Sequence, residues 1–176
     1  MNHVDDQLQA LVAAAGEGDN VAVRELVRRT QPAIWRLCNV LGSPGEEDDL
    51  VQDTYLRAFR SLETYRGEAP ITAWLLSIAR RVCADHVRSR MRQRRIVGAL
   101  VDTADDQWEP APGNPTLALL DAIDPDRRDA FVLTQVAGLS YDEAAVVLDC
   151  PVGTIRSRVA RARTDLVNKV SAAEAC

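Results

Sequence analysis

Residues 139–163 read LSYDEAAVVLDCPVGTIRSRVARAR and carry the strongest local structural signal in the sequence. Ser140 and Glu143 have the spacing of a capping box, which starts an α-helix. Residues 150–153 contain Pro and Gly and predict a turn, after which a longer, basic helix begins. A short helix, a turn and a second helix are typical of a helix-turn-helix. The alternative is an ordinary helical hairpin with a solvated arginine face, but the agreement of cap, turn and basic helix favours the helix-turn-helix.

The second helix of this motif carries the side chains that would meet DNA. We expect Ile155 to lock it onto the first helix, with Val159 on the same buried side. The early residues of a recognition helix face base edges in the major groove, where arginine can read guanine with two hydrogen bonds. The residues nearest the groove are Arg156, Ser157 and Arg161, whereas Arg158 and Arg163 lie further round and suit phosphates.

The N-terminal half is also predicted to be helical. A short first helix should end near residues 16–18, and Asp19 or Asn20 can cap a second helix. Pro32 should kink or split that second helix. Residues 42–45, Gly-Ser-Pro-Gly, form a clear break before the next helix.

Two further helices follow this break. Four carboxylates at 46–49 stand where a helix dipole favours negative charge, and Val51 and Tyr55 continue as an apolar stripe. A long helix is predicted over 72–95. The chain has 47% apolar residues but only 3 Trp, 3 Tyr and 2 Phe, so its core must be mostly Ala, Leu and Val. That composition, without a convincing strand run, predicts an all-α protein.

The charge is unevenly distributed along the chain. The net charge is −5, yet residues 80–95 hold seven arginines against one acid, and residues 156–169 hold five basic residues against one acid. Between them, residues 96–126 hold seven acids and no basic residue. The prolines and acids of 97–115 predict an extended, flexible linker. A solvated face is the usual explanation of one charge run, but two basic helices favour nucleic-acid binding.

Several classes of protein are excluded by what the sequence lacks. No apolar run approaches the length of a membrane span, and the N-terminus lacks the pattern of a secretory signal, so we expect a cytoplasmic protein. The four cysteines are scattered without a C-x-x-C motif, which argues against a disulfide scaffold or a zinc site. Cys83 and His86 lie one helical turn apart, but two ligands without partners predict no metal site.

Three motifs stand in a fixed order along the chain. Residues 48–59 read DDLVQDTYLRAF, residues 73–80 read AWLLSIAR, and residues 150–163 read CPVGTIRSRVARAR. They resemble region 2.2, the start of the promoter-melting helix and region 4 of bacterial sigma factors of the extracytoplasmic-function (ECF, group 4 sigma-70) family. The combination covers nearly the whole chain.

The resemblance implies two small helical domains, a sigma region 2 domain at 1–96 and a sigma region 4 domain at 116–176, joined by the linker at 97–115. The first domain would bind the clamp coiled coil of the polymerase β′ subunit and would recognise and melt the −10 element. The second would bind the −35 element and the polymerase β flap. The expected partners are core RNA polymerase, promoter DNA and an anti-sigma factor, with no cofactor and no catalytic residues.

The resemblance also assigns roles by motif position. Polymerase contacts would be Asp49, Gln52, Asp53, Tyr55 and Phe59. Contacts to the −10 element would be Tyr65, Arg66, Trp74, Arg80, Arg81 and Arg88. Contacts to the −35 element would be Thr154, Arg156, Ser157, Arg158, Arg161 and Arg163.

Each assignment has a structural alternative. The carboxylates of 46–49 and Asp53 could simply stabilise a helix start. Tyr55 and Phe59 fit the core stripe, and Trp74 could be an ordinary core residue. An aromatic that helps melt DNA must instead stack on an unpaired base.

Two other functions compete with a sigma factor. A repressor or activator could use the same helix-turn-helix as a homodimer, but it would need neither the helix at 48–59 nor a melting helix. A nucleic-acid hydrolase would need an acid, a base or a metal constellation, and none is visible in the sequence.

Overall fold

The computed structural model describes residues 3–100, 119–120 and 122–174, and within these ranges the regular structure is helical, without a strand. The all-α prediction is confirmed. A 3₁₀ turn (Leu62–Thr64) and a π-helical turn (Val132–Val136) accompany the α-helices. The α-helices are α1 (His3–Gly16), α2 (Asn20–Leu41), α3 (Glu47–Arg60), α4 (Ile71–Leu100), α5 (Pro125–Phe131), α6 (Tyr141–Val147) and α7 (Val152–Glu174).

Helices α1 to α4 form a bundle in which α2, α3 and α4 pack against one another. Their inward side chains are aliphatic and nearly free of solvent. Burying one Leu or Ile side chain stabilises a fold by about 1.5–3 kcal/mol relative to leaving it exposed. The largest of these side chains are Leu26, Ile34, Leu37, Ile71, Leu75 and Leu76.

Pro32 lies inside α2 without interrupting it, so the predicted split of this helix is wrong. The proline itself is exposed, whereas Leu26 before it and Ile34 after it are buried in the same core. Their packing on α3 and α4 holds the helix together, although proline cannot donate the backbone hydrogen bond of its turn.

The chain reversal between α2 and α3 depends on Gly42. A Cβ atom at this position would collide with the side chain of Leu50 and would lie 2.5 Å from the carbonyl oxygen of Cys38. Only glycine lets the start of α3 come this close to the end of α2.

The helix caps predicted at Asp19 and Ser140 form, and Asp124 provides a third. The side chain of Asp19 accepts hydrogen bonds from two backbone N–H groups in the first turn of α2. Asp124 caps α5 in the same way, with Pro125 in its first turn. Both hydrogen bonds of the capping box are present, because Ser140 N donates to Glu143 at 2.7 Å and Glu143 N donates to Ser140 Oγ at 3.2 Å.

Helices α6 and α7 form the predicted helix-turn-helix. Ile155 and Val159 of α7 are 0% and 1% exposed, and Ala144 of α6 is 0% exposed. Helix α6 ends at Val147, and Asp149, with a left-handed φ of +48°, turns the chain toward α7.

The two helical units pack against each other. Residues of the π-helical turn contact α2, and α6 contacts α4. One apolar cluster runs across the boundary from Leu76 and Ala79 to Val132 and Leu133. The predicted linker begins too early, because α4 remains helical to Leu100. The rest of the predicted linker lies outside the described residues.

Three further points concern membrane-spanning helices, metal ligands and the buried cysteines. None of the helices in the described part of the chain is long and apolar enough to cross a membrane. Among the described residues, no group of three or more His, Cys, Asp or Glu side chains could hold a metal ion. Cys83 is buried, and its contact with Cys38 together with burial raises the pKa of its thiol.

We predict that Ile155 locks α7 onto α6. Ile155→Ala removes a fully buried side chain and should destabilise this unit by about 2–5 kcal/mol. Val146→Ala is the matched control, because Val146 is 61% exposed and its loss should change stability by about 0.5 kcal/mol or less. Amide hydrogen exchange of α7, measured by mass spectrometry, reports the difference. Equal protection in the two variants would contradict this packing role.

Candidate functional site

The exposed face of α3 is acidic and partly apolar. Asp49 and Gln52 are exposed, and Asp53 is half-buried beside them. Leu56 lies one turn further along with 49% of its surface exposed. Three acids in the first turn of α3 complement the helix dipole, so the dipole explains part of this charge. The dipole does not explain why Leu56 is exposed next to these acids. An exposed apolar side chain surrounded by polar ones is a feature of binding surfaces.

Tyr55 does not belong to this exposed face. It is 8% exposed, and its hydroxyl lies 2.7 Å from Thr30 Oγ1 and donates to the carbonyl of Val27 at 3.3 Å. Burial raises the pKa of Tyr55 to about 12. The ring of Phe59 stacks on that of Tyr55 with centroids 6.0 Å apart, and Phe59 is half-buried. In this structure Tyr55 is therefore a core residue, and only Phe59 retains an exposed part.

A chain of ion pairs links the acidic face of α3 to α4. Arg57 bonds Asp53 at 2.9 Å and Asp85 of α4 at 3.0 Å, and Arg88 bonds Asp85 at 2.6 Å. Arg88 and then Arg57 lower the pKa of Asp85, while the two carboxylates raise the pKa of Arg57. These side chains are 44% to 68% exposed, so each pair contributes little stability by itself. Together, the linked ion pairs restrict the orientations of the Asp53 and Arg88 side chains.

An aromatic pair lines a cleft at the start of α4. The rings of Tyr65 and Trp74 are 5.3 Å apart and inclined by 51°. The hydroxyl of Tyr65 donates to the carbonyl of Ala69 at 2.7 Å, which fixes the loop before α4. The cleft has a volume of about 220 Å³, and Arg66 and Arg81 also line it. Trp74 is therefore partly packed, as the core alternative held, but it also faces an open space beside two arginines.

The arginines along α4 differ in what they contact. Arg81 is exposed. Arg80 donates to Asp129 of α5 at 2.5 Å, so its partner belongs to the second helical unit. Arg88 pairs with Asp85 of its own helix. The three α4 arginines expected to contact the −10 element thus line one helix but are not equally available.

The predicted DNA-reading side chains of α7 point outward. Arg156 and Arg161 are exposed, and the hydroxyl of Ser157 donates to the carbonyl of Thr154 at 2.9 Å. The two arginines predicted to hold phosphates instead form contacts with other residues of the second helical unit. Arg158 pairs with Asp126 and contacts Cys150 Sγ, and Arg163 donates to Gln135 Oε1 at 2.8 Å.

Sequence reasoning missed three residues of these surfaces. Arg57 could have been found from its position one helical turn after Asp53, where opposite charges pair. Leu56 adjoins the apolar stripe of this helix in sequence, and its exposure depends on how α3 packs. The partnership of Asp129 with Arg80 joins distant parts of the chain, and no local signal reveals it.

Two family models match separate stretches of the chain. A model described as Sigma-70 region 2 matches residues 26–93, and one described as Sigma-70, region 4 matches residues 115–166. Among curated proteins, the ECF RNA polymerase sigma factor SigC of Mycobacterium tuberculosis is 40% identical over 168 residues, which are 93% of this chain and 91% of that protein. The ECF RNA polymerase sigma-E factor of Escherichia coli is 32% identical over 180 residues, with 92% and 93% covered.

Solved structures agree with these matches. CnrH, solved in complex with the cytosolic domain of CnrY, superposes with a TM-score of 0.73 at 28% identity, covering 93% of this chain and 96% of that chain. The sigma factor RpoE of Bartonella quintana, solved with the anti-sigma factor NepR, has a TM-score of 0.68 at 26% identity, covering 85% and 96%. With both sigma-70 regions matched and relatives aligned along nearly their whole length, this chain belongs to the ECF family of RNA polymerase sigma factors.

Proposed function

We propose that this ECF sigma factor divides promoter recognition among three surfaces: α3 binds core RNA polymerase, α4 melts the −10 element, and α7 reads the −35 element. The observation that carries the proposal is that one chain joins the acidic, partly apolar face of α3 to two arginine-bearing helices. A repressor or activator with the same helix-turn-helix would have no use for the first two surfaces. We place the two domains at 1–96 and 116–176, and α4 continues past the end of the first domain to Leu100.

The polymerase contact is proposed for Asp49, Gln52 and Asp53, with Leu56 as an apolar centre and Phe59 at its edge. Exposed acids next to an exposed leucine suit a partner surface that is both basic and apolar. The clamp coiled coil of the β′ subunit is the proposed partner, and the β flap is the proposed partner of the second domain. Tyr55 supports this surface from beneath, because its ring is buried on the inner side of α3 and its hydroxyl contacts Thr30 of α2.

Melting of the −10 element is proposed for the cleft before α4. Trp74 and Tyr65 offer aromatic faces on which an unpaired base can stack, at about 1–3 kcal/mol per base. Arg66 and Arg81 line the same cleft and can neutralise phosphates of the separated strands. Arg80 and Arg88 would extend this contact along α4 once they leave their carboxylate partners.

The remaining elements of the proposal concern partners and place. The solved relatives bound to CnrY and to an anti-sigma factor support an anti-sigma partner for this chain too. The factor itself is proposed to be a non-enzymatic, cytoplasmic protein, and RNA synthesis belongs to the polymerase.

Contact with the −35 element is proposed for Arg156, Ser157 and Arg161 near the start of α7, with Thr154, Arg158 and Arg163 around them.

Binding and transcription with core polymerase test the proposal. The wild-type chain should co-elute with core polymerase and direct specific run-off transcripts from a pool of genomic fragments. A regulator of the repressor or activator class would bind DNA without co-eluting and without starting a transcript.

We predict that charge reversal on α3 weakens the polymerase complex. Asp49→Arg places a positive charge on the proposed interface and should raise the dissociation constant for core polymerase by an order of magnitude, a loss of about 1.4 kcal/mol. The folding cost should stay near 0.3–1 kcal/mol, because only the helix dipole is opposed. Glu17→Arg is the matched control, since Glu17 is an exposed acid outside α3. Equal affinities of the two variants would remove this face from the interface.

We also predict that two arginines of α7 act differently on DNA. Arg161→Ala should cost about 1–3 kcal/mol at the −35 element and relax the preference at one base position. Arg163→Ala should weaken all sites alike and lower the slope of log affinity against log salt by about 1. A binding series across randomised −35 sites separates the two effects. An even loss at every site for Arg161→Ala would refute its role in reading a base.

A further inference from the structure

Helix α5 continues into the π-helical turn rather than into a regular α-helix. In this turn Ala137 N donates to the carbonyl of Val132, five residues earlier, at 2.9 Å. Single π-helical turns are rare, and they occur frequently at functional sites. Val132, Leu133 and Thr134 are buried in this turn, whereas Gln135 is exposed. The turn therefore presents the amide of Gln135 at the surface of the second helical unit.

This amide holds the side chain of Arg163 on α7. Nη2 of Arg163 donates to Oε1 of Gln135 at 2.8 Å, and Nε2 of Gln135 donates to Oγ1 of Thr134 at 3.1 Å. Oγ1 of Thr134 in turn donates to the carbonyl of Ala130 at 2.8 Å. Because Thr134 is only 8% exposed, this row of hydrogen bonds runs from the protein surface into the buried backbone of α5.

The chemistry of each group fixes the direction of these hydrogen bonds. A guanidinium has donors but no acceptor, so the amide of Gln135 must turn its oxygen toward Arg163. The amide nitrogen then faces Thr134, whose hydroxyl accepts this bond and donates its own hydrogen to a carbonyl. A reversed amide would lose both bonds, so Gln135 has one favoured orientation and restrains Arg163 in turn.

The two arginines of α7 that are proposed to hold phosphates differ in whether their charge is neutralised. Arg158 pairs with the carboxylate of Asp126. Arg163 is exposed, and within the described part of the chain its side-chain partner is the uncharged amide of Gln135. Binding to the DNA backbone depends on the positive charge that the protein brings to the phosphates. An amide partner thus fixes the direction of Arg163 without reducing that charge.

We propose that Gln135 is a positioning residue for −35 DNA: it holds the guanidinium of Arg163 toward a backbone phosphate and leaves the charge available. The inference rests on the proposed role of α7 in binding the −35 element. Ordering a flexible side chain when a complex forms weakens binding, and an arginine already restrained in the free protein avoids much of that loss. The partners are 28 positions apart in sequence, so no local pattern reveals this role.

Two substitutions of Gln135 separate positioning from charge. Gln135→Met keeps the approximate length of the side chain but removes both hydrogen bonds of the amide. Gln135→Glu replaces the amide with a carboxylate that can form an ion pair with Arg163. Each substitution is made in the full-length chain and again in an Arg163→Ala background. Asn168→Asp is the matched control, because it adds a negative charge at another exposed position of the second domain.

Two measurements on the full-length chain report the role of Gln135. Side-chain NMR relaxation of the Arg163 Nε–H group measures how strongly the guanidinium is restrained in the free protein. Fluorescence anisotropy with a −35 duplex and a scrambled duplex, repeated over a range of salt concentrations, gives the affinity and its salt slope. This slope counts the phosphates that the protein neutralises, which a purely structural role of Gln135 would not change. Far-UV circular dichroism verifies that each variant keeps its helices.

Loss of positioning should be visible without loss of charge. Gln135→Met should raise the mobility of Arg163 and weaken binding to both duplexes about threefold, as expected for one flexible side chain that must be ordered on binding. The salt slope of this variant should equal that of wild type, since the charge of Arg163 is retained. In the Arg163→Ala background, Gln135→Met should have no further effect on binding.

Neutralisation of Arg163 should have a different signature. Gln135→Glu should weaken binding to both duplexes about eightfold near 0.1 M salt and lower the salt slope by about 0.9, as for one lost phosphate contact. In the Arg163→Ala background, the same substitution should behave like Asn168→Asp. Asn168→Asp itself should keep the salt slope and the Arg163 mobility of wild type.

Three results would overturn the proposal. An Arg163 side chain as restrained in Gln135→Met as in wild type would show that the amide does not position it. An unchanged salt slope in Gln135→Glu, or an equal loss of affinity in the wild-type and Arg163→Ala backgrounds, would show that Gln135 does not act through Arg163. If Gln135→Glu fails to keep its helices, Gln135→Met decides, because it introduces no charge. Failure of the proposed function is seen separately, because the wild-type chain would then not prefer the −35 duplex to the scrambled one.

Discussion

The packing of α4 against α2 and α3 is the constraint on which the rest of the structure depends. Ile71, Leu75, Leu76 and Val82 are nearly free of solvent on one side of this helix. The polar side chains must therefore occupy the other sides, where Asp85 pairs with Arg57 of α3, Arg81 is exposed and Arg80 pairs with Asp129 of the second helical unit. The acidic face of α3, the aromatic cleft and the contact with the second helical unit all depend on the position of this one helix.

Local chemistry made much of the fold predictable. The capping box at Ser140, the Asp19 cap of α2 and the buried Ile155 each act within a few residues, so their patterns translate directly into helix ends and packing. The exposed positions of Arg156 and Arg161 followed from the helical period for the same reason, because the buried positions of α7 leave only one side for polar residues.

Features that depend on distant partners could not be predicted in the same way. A periodic stripe left Tyr55 open to either a core or an interface role, and its burial depends on Thr30, which belongs to another helix. Continuity of α2 through Pro32 depends on packing that overrides a local preference. Arg80 and Asp129 are 49 positions apart in sequence, and neither residue's neighbourhood indicates the other. The sequence alone predicted two basic helices but not that one of them is covered by the opposite domain.

The most direct test of this account is the separation of the two domains before and after the factor binds its partners. Single-molecule energy transfer between dyes at Gln31→Cys in α2 and Asn168→Cys in α7, with Cys150 and Cys176 replaced by Ser, measures it. Both labelled positions are exposed. The account predicts a high-transfer state for the free chain, because its two helical units pack against each other, and a low-transfer state with core polymerase and promoter DNA, because α4 and α7 then bind separate promoter elements. The same high transfer in both conditions, or low transfer in the free chain, would contradict it.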